Sequence, residues 1–191
     1  MQMPIYTRRG DLGKTQVIGS RRRFKDDARV QAYGTVDEAG ALIGVVVSLI
    51  ASDAALQDIS QVLIGVQQML WDVGADLARV DDSAHQYRTP ENAASQLEPL
   101  IDQYQAELAP LAKFILRGGT PAGALAHLAC TVVRRAERDV VHLQQVEAIH
   151  PPLLTYLNRL SDLLFVLGRV INHRGGAPET EYVHSARVFH Q

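Results

Sequence analysis

The stretch LQDISQVLIGVQQMLWDVGADL, residues 56–77, places apolar side chains at Leu56, Ile59, Leu63, Val66, Leu70, Val73 and Leu77. Alternating steps of three and four put them on one stripe of a long helix, whereas a strand would show a period of two. Working outward, Leu153, Leu157, Leu160, Leu164, Leu167 and Ile171 repeat the stripe near the C-terminus. Residues 27–52 carry Ala and Val on most faces, as a helix buried on several sides does, and Asp26 and Asp27 suit its positive N-terminal end. A further helix over 121–147 is expected to bury Leu125, Leu128, Val132, Ala136 and Val140, with Thr120 as N-cap and Pro121 in its first turn. Thr89 and Pro90 make the same start signal for a shorter helix to about Leu108, which Pro110 ends. The glycines of HRGGAPET, residues 173–180, stop the last helix. Only Thr15–Ile18 reads as a strand. Five helices, four of them long, predict an all-α, up-and-down five-helix bundle with a flexible basic N-terminal arm.

At 191 residues the chain is one domain by length. The expected division is an arm over 1–26, a bundle over 27–175 and a tail over 176–191. Cys130 is the single cysteine, so no internal disulfide framework exists and a reducing compartment is expected. The start MQMPIYTRRG has no apolar leader. The longest uncharged run, Ala39–Ser52, falls short of the ~20 residues that span a bilayer. These features predict a cytoplasmic protein with no membrane partner, and a net charge of -2 argues against general nucleic-acid binding. Positive charge is nonetheless concentrated, with Arg8, Arg9, Lys14, Arg21, Arg22, Arg23 and Lys25 against Asp11 alone before residue 26. Within that arm TRRGDLGKT, residues 7–15, ends like a phosphate loop, but Arg8 stands where the first glycine belongs and no buried strand precedes it. What remains is a glycine-freed basic loop able to form an anion-binding nest.

Elsewhere the informative residues are polar ones where apolar ones would serve. RRAER, residues 134–138, sets Arg134 and Arg138 one turn apart with Glu137 between, which reads as a solvated ion-paired face or as part of a site. On the last helix Asn158, Asp162 and Arg169 sit in an apolar context and need partners, through inter-helix hydrogen bonds, a subunit contact or a ligand. Asp37 in YGTVDE is harder to assign to a helix end. Phe114, in the apolar run before a glycine turn of KFILRGGT, reads as core from its residues alone. Two Glu-x-x-His spacings, Glu147 with His150 and Glu181 with His184, invite comparison with di-iron bundles. The first lies against Pro151 and Pro152 at a helix end and the second in the tail, so no protein metal site is expected.

Taken in order, YTRRGDLGKT, FKDDARVQAYGTVDE, FILRGGTPAGALAHLACTVVRRAER and YLNRLSDLLFVLGRVINHRGG resemble the PduO-type ATP:cob(I)alamin adenosyltransferases from about residue 5 to 175. The resemblance implies a homotrimer with ATP and corrinoid bound in clefts between subunits. It implies transfer of the 5′-deoxyadenosyl group of ATP to cob(I)alamin, releasing triphosphate and forming adenosylcobalamin. Thr7, Arg8, Arg9, Gly10, Thr15, Gln16 and Lys25 would then fold over the triphosphate, met by Arg134, Arg135, Glu137, Arg138 and Asn158, with Mg²⁺ sharing its charge. Phe114 would lie under the corrin ring, excluding the lower axial base and leaving a four-coordinate Co(II) that is easier to reduce. Arg134, Phe114 and Asp37 are the expected catalytic positions. A reductase, flavoprotein or other, would supply Co(I), and adenosylcobalamin-dependent enzymes would take the product.

The chain departs from that pattern. Cys130 stands one turn before RRAER where the family usually has an arginine that pairs across subunits with the aspartate found here as Asp37. A buried Asp37 is therefore expected to find another cation or to be partly hydrated. Arg117 replaces the usual proline of the FILPGG motif, and VDEAGA replaces VDELNS. Two other readings follow: an ATP- or corrinoid-binding sensor or carrier with little turnover, and a purely structural helical oligomer.

Overall fold

Each long stripe forms a helix because it has an apolar face to bury, and two of the long helices, those over Ala28–Ile50 and Pro121–Val146, begin at a residue whose side chain caps them. The computed structural model describes residues 5–19, 22–80 and 86–186. Arg21 of the basic cluster, residues 81–85 and the last residues of the tail lie outside the described residues. The element order is β1 (Lys14–Gln16), β2 (Arg22–Phe24), α1 (Ala28–Ile50), a short 3₁₀ turn (Ala54–Leu56), α2 (Gln57–Leu77), α3 (Glu98–Gln105), α4 (Pro121–Val146) and α5 (Pro151–Arg174). Helix α4 packs along both α1 and α5, α2 lines α1, and α3 lies on α5. Five helices among the described residues make the bundle expected from the stripes. All the stripe residues of α2 and α5 are buried.

The caps act as the sequence suggests. The Asp27 carboxylate accepts from the Arg29 N–H at 2.9 Å, and Thr120 Oγ1 accepts from the Gly123 N–H at 3.1 Å. Three expectations need correction. Leu128 on α4 is exposed, because the core stripe runs through Ala126, Ala129, Val132, Val133 and Ala136 beside it. The helix expected from Pro90 begins only at Glu98. The Asp76 carboxylate takes the N–H groups of Arg88 and Thr89 (2.8 Å for Thr89) and bends the chain there, and Thr89 Oγ1 is buried without a partner instead of capping. By length and composition α1 passes as a membrane span, since Asp37 and Glu38 do not outweigh its alanines and valines. Here it packs between α2 and α4.

The arm is folded. β1 and β2 pair antiparallel, with Lys14 opposite Phe24 and Gln16 opposite Arg22, and Ile18 exchanges backbone hydrogen bonds with Ala78 and Val80 beyond α2. Its anchor is charged. Arg29, 4% exposed, donates to both Leu77 and Arg79 carbonyls (2.6 and 2.7 Å) and through Nη2 to Glu147 Oε2 at 2.8 Å. Arg23 of β2 grips the same carboxylate at 2.5 and 3.1 Å. One carboxylate thus joins the hairpin, the start of α1 and the end of α4. Burial alone would raise the Glu147 pKa, but the hydrogen bonds from Arg23 and Arg29 outweigh it and hold the group below its usual 4.5. A depressed carboxylate contributes stability that is complete above its unfolded pKa and is lost as pH falls through the folded one. Glu147→Gln is expected to lower stability at neutral pH by roughly 2 kcal/mol and to flatten the fall of Tm with acid, as measured by calorimetry across pH 3–7.

Candidate active site

On the α4–α5 face, Arg134, Glu137 and Arg138 from one helix and Asn158, Ser161 and Asp162 from the other line a cavity of about 370 Å³. Helical spacing sets this up, because one-turn steps on two adjacent helices bring all these side chains to one groove. Asn158 Nδ2 donates to Glu137 Oε1 at 2.9 Å, which orients the amide, and Arg134 Nε reaches Ser161 Oγ at 3.4 Å. Arg134 and Arg138 are exposed. The groove also holds two carboxylates, but Glu137 is turned to the Asn158 amide and Asp162 is paired with Arg159 at 2.8 Å, which leaves the Arg134 and Arg138 guanidinium groups as its exposed charges. Arg135 does not join them, since it pairs with Glu38 on α1. Arg169 lies farther along α5 and is bound to Glu179.

Next to this groove runs the loop that carries Phe114. It is held at one end by Asn172, buried on α5, whose Oδ1 accepts from the Thr120 N–H at 2.8 Å and whose Nδ2 donates to the Gly118 carbonyl at 2.7 Å. Gly119 and Gly123 leave room for that amide: a Cβ on Gly123 would stand 2.0 Å from Asn172 Oδ1, and Gly119 adopts φ 101° besides. Phe114 is 55% exposed, so it is not the core residue its neighbours suggest. Arg117 Nη1 reaches the His127 carbonyl at 3.4 Å, and the Cys130 thiol donates to the Ser161 carbonyl at 3.2 Å. Burial raises the Cys130 thiol pKa, and burial with the nearby Arg117 and Arg169 charges pushes His127 down to about 4. Both are therefore neutral at physiological pH. The loop and the cationic groove thus abut the same stretch of α4, since His127 and Arg134 are roughly 10 Å apart along the helix.

The arm residues gather elsewhere. Thr7, Arg8, Arg9 and Gly10 form a turn in which Arg8 takes φ 57° and Gly13 φ 76°, and a Cβ on Gly10 would lie 3.4 Å from Lys25 Nζ. Arg22 ties this turn through the carbonyls of Arg9 and Lys14. Thr15 is hydrogen-bonded to Tyr33 of α1, and Gln16 is exposed. Because Glu147 fixes the hairpin at the end of α4, the arm lies about 20 Å along that helix from Arg134. Within one chain the two groups do not meet. Asp37 is exposed, and so hydrated, where α1 and α2 enclose an apolar groove of about 700 Å³ that includes Trp71, 75% exposed. Among the described residues no three His, Cys, Asp or Glu side chains gather to hold a metal ion. Glu147 is engaged by arginines, and Glu181 pairs with Lys113 at 2.8 Å. Sequence reasoning missed Arg29, Glu147 and Asn172; a polar residue in a buried helical register was the available signal for Arg29 and Asn172.

The fold is a helical bundle that carries exposed guanidinium groups in an α4–α5 groove and an exposed aromatic on the loop before α4. The chain belongs to the cobalamin adenosyltransferase family, whose model matches residues 5–171. It is 44% identical to the corrinoid adenosyltransferase of Bacillus subtilis, over 98% of this chain and 96% of that protein. It is 43% identical to that of Mycobacterium tuberculosis over 90% of each. A phenylalanine-to-histidine variant of the PduO-type ATP:corrinoid adenosyltransferase from Lactobacillus reuteri, solved with cobalamin and ATP, superposes with a TM-score of 0.93 at 40% identity, over 97% of this chain and all of that one.

Gly123→Ala is expected to cost roughly 2 kcal/mol or more by displacing Asn172, whereas Gly65→Ala on α2, with open space around it, is expected to be neutral or stabilising. Thermal unfolding of the two variants checks the contrast.

Proposed function

We propose that this protein transfers the 5′-deoxyadenosyl group of ATP to cob(I)alamin, forming adenosylcobalamin and releasing triphosphate. The observation that carries the reading is the groove of Arg134, Arg138 and Asn158 on a helix that the Phe114 loop also reaches, through Arg117 at the His127 carbonyl, with Phe114 itself exposed on that loop. The Co(I) electron pair forms the bond to C5′ as the C5′–O bond breaks, and the electrons of that bond leave with the triphosphate. Charge grows on the leaving group, so fixed guanidinium groups stabilise the transition state more than the ground state. No proton moves, and no general base is needed. Phe114 covers the lower face of the corrin and keeps water and the axial base from cobalt.

Arg134 and the arm lie far apart in one chain, so the complete site is assigned to a boundary between copies. A second copy seated on the apolar α1–α2 groove beside Asp37 would bring its Arg134 groove towards the first copy's Thr7, Arg8, Arg9, Gly10, Thr15, Gln16 and Lys25. A homotrimer closes such a heterologous contact into a ring. Arg135 then serves the bundle through Glu38, and residues 1–26, 27–175 and 176–191 act as nucleotide arm, bundle and tail. Mg²⁺ fits as an ion carried on the triphosphate, with Glu137 or Asp162 as the single carboxylate such a site commonly uses; when bound it shares the leaving group's negative charge. A reductase that delivers Co(I) and enzymes that consume adenosylcobalamin complete the proposed context.

Incubation with ATP, Mg²⁺ and chemically reduced cobalamin is expected to give the adenosylcobalamin spectrum. ATP binding without product would favour a sensor or carrier, and no ATP binding at millimolar levels would favour a structural role. Arg134→Gln is expected to lower kcat/KM by roughly 100-fold, while Phe114→Ala is expected to lower the four-coordinate Co(II) fraction without weakening ATP binding. Steady-state kinetics and Co(II) spectra test the two together.

A further inference from the structure

Arg169 is a guanidinium in the apolar register of α5, 4% exposed, where a leucine would pack as well. Such a charge costs stability unless it is fully partnered, and its partners show what it holds. Nε and Nη2 meet both oxygens of Glu179, at 2.5 and 3.2 Å, and Nη2 also donates to the Ala109 carbonyl at 2.9 Å. Glu179 lies beyond α5, and Ala109 lies between α3 and Phe114. The segment after Glu179 then runs antiparallel to the Phe114 loop. The Leu116 N–H donates to the Thr180 carbonyl and the Tyr182 N–H to the Phe114 carbonyl, each at 2.8 Å, and the Phe114 N–H donates to Ser185 Oγ at 3.1 Å. Both backbone polar groups of Phe114 are thus held by the chain's C-terminal segment, and that segment is rooted in one ion pair whose guanidinium is buried and whose carboxylate lies at the surface. Bidentate geometry fixes it in orientation as well as distance.

We propose that Arg169 and Glu179 are positioning residues for the corrin-facing wall: their ion pair seats a C-terminal strap over 178–185 whose backbone holds Phe114 in place. The inference rests on the reading of Phe114 as the residue beneath the corrin. The strap adds no group to the reaction. It helps fix the height and tilt of an exposed ring, and misplacement of such a group weakens catalysis without touching the chemistry.

Two full-length variants test this. Glu179→Gln keeps the shape of the side chain and removes its charge, and Tyr182→Pro removes the N–H that holds the Phe114 carbonyl while leaving the ion pair intact. Both are expected to raise KM for cob(I)alamin by roughly tenfold, with KM for ATP changed by less than about twofold. Both are also expected to lower the fraction of four-coordinate Co(II) formed with cob(II)alamin and ATP, and to speed amide exchange at Leu116. The proposal is overturned if the two KM values rise together, as in general destabilisation, or if exchange at Leu116 speeds up while cobalamin KM and Co(II) coordination stay as in the parent protein. Unsubstituted protein that forms no adenosylcobalamin sinks the functional reading on its own. Exchange then decides the positioning role, and an unchanged Leu116 amide in both variants overturns it.

Discussion

The Glu147 carboxylate, shared by Arg23 and Arg29, is the constraint on which the arrangement of the molecule depends. A buried guanidinium such as Arg29 is tolerated only when its hydrogen-bonding positions are used. Two carbonyls beyond and within α2 and the carboxylate after α4 use them here. The result is a knot where three helix ends and the basic hairpin come together. It turns a short segment with almost no core of its own into a fixed part of the surface. It also decides where that segment is, at the C-terminal end of α4, about 20 Å along the helix from Arg134.

That placement divides the work between two kinds of surface. Exposed cations sit in the arm and in the α4–α5 groove. Phe114, by contrast, projects from a loop held by Asn172 below and by the C-terminal segment alongside. Long flexible side chains thus make up one surface, and a ring on a hydrogen-bonded loop the other. The neutral Cys130 and the neutral His127 separate the two, with Arg117 placing a cation over that stretch of α4 from the loop instead of from the helix itself.

The bundle was legible because helical burial writes a period into the sequence. The stripes of Leu56 to Leu77 and Leu153 to Ile171 each have one register that buries them, and Asp27 and Thr120 mark the starts of the other two long helices, α1 and α4. Local signals failed where a distant group overrode them. Thr89 and Pro90 look like a helix entrance, but Asp76 claims the N–H groups there. Leu128 has the spacing of a core residue, but the small side chains beside it let α1 and α5 approach on another face. Partner strand β2 has no alternation to read, because Arg22 and Arg23 are held by hydrogen bonds to a turn and to Glu147. Of the site, spacing alone could place Arg134, Glu137 and Arg138 on one helix face and Asn158 with Asp162 on another; that the two faces meet is implied only by the family resemblance. Their distance from the arm could not be read this way, since it follows from one ion-paired carboxylate more than a hundred residues away in sequence.

The central claim is that one active site is built from the arm of one copy and the Arg134 groove of another. Complementation measures it directly. Protomers bearing Arg134→Gln are co-assembled one to one with protomers bearing Arg8→Ala, Arg9→Ala and Lys25→Ala, each variant being inactive alone, and adenosylcobalamin formation is assayed. Sites assembled at random across a boundary should recover about a quarter of the parent activity. A mixed assembly that stays as inactive as either variant would mean that both groups serve from the same chain or never share a site, and would contradict the account.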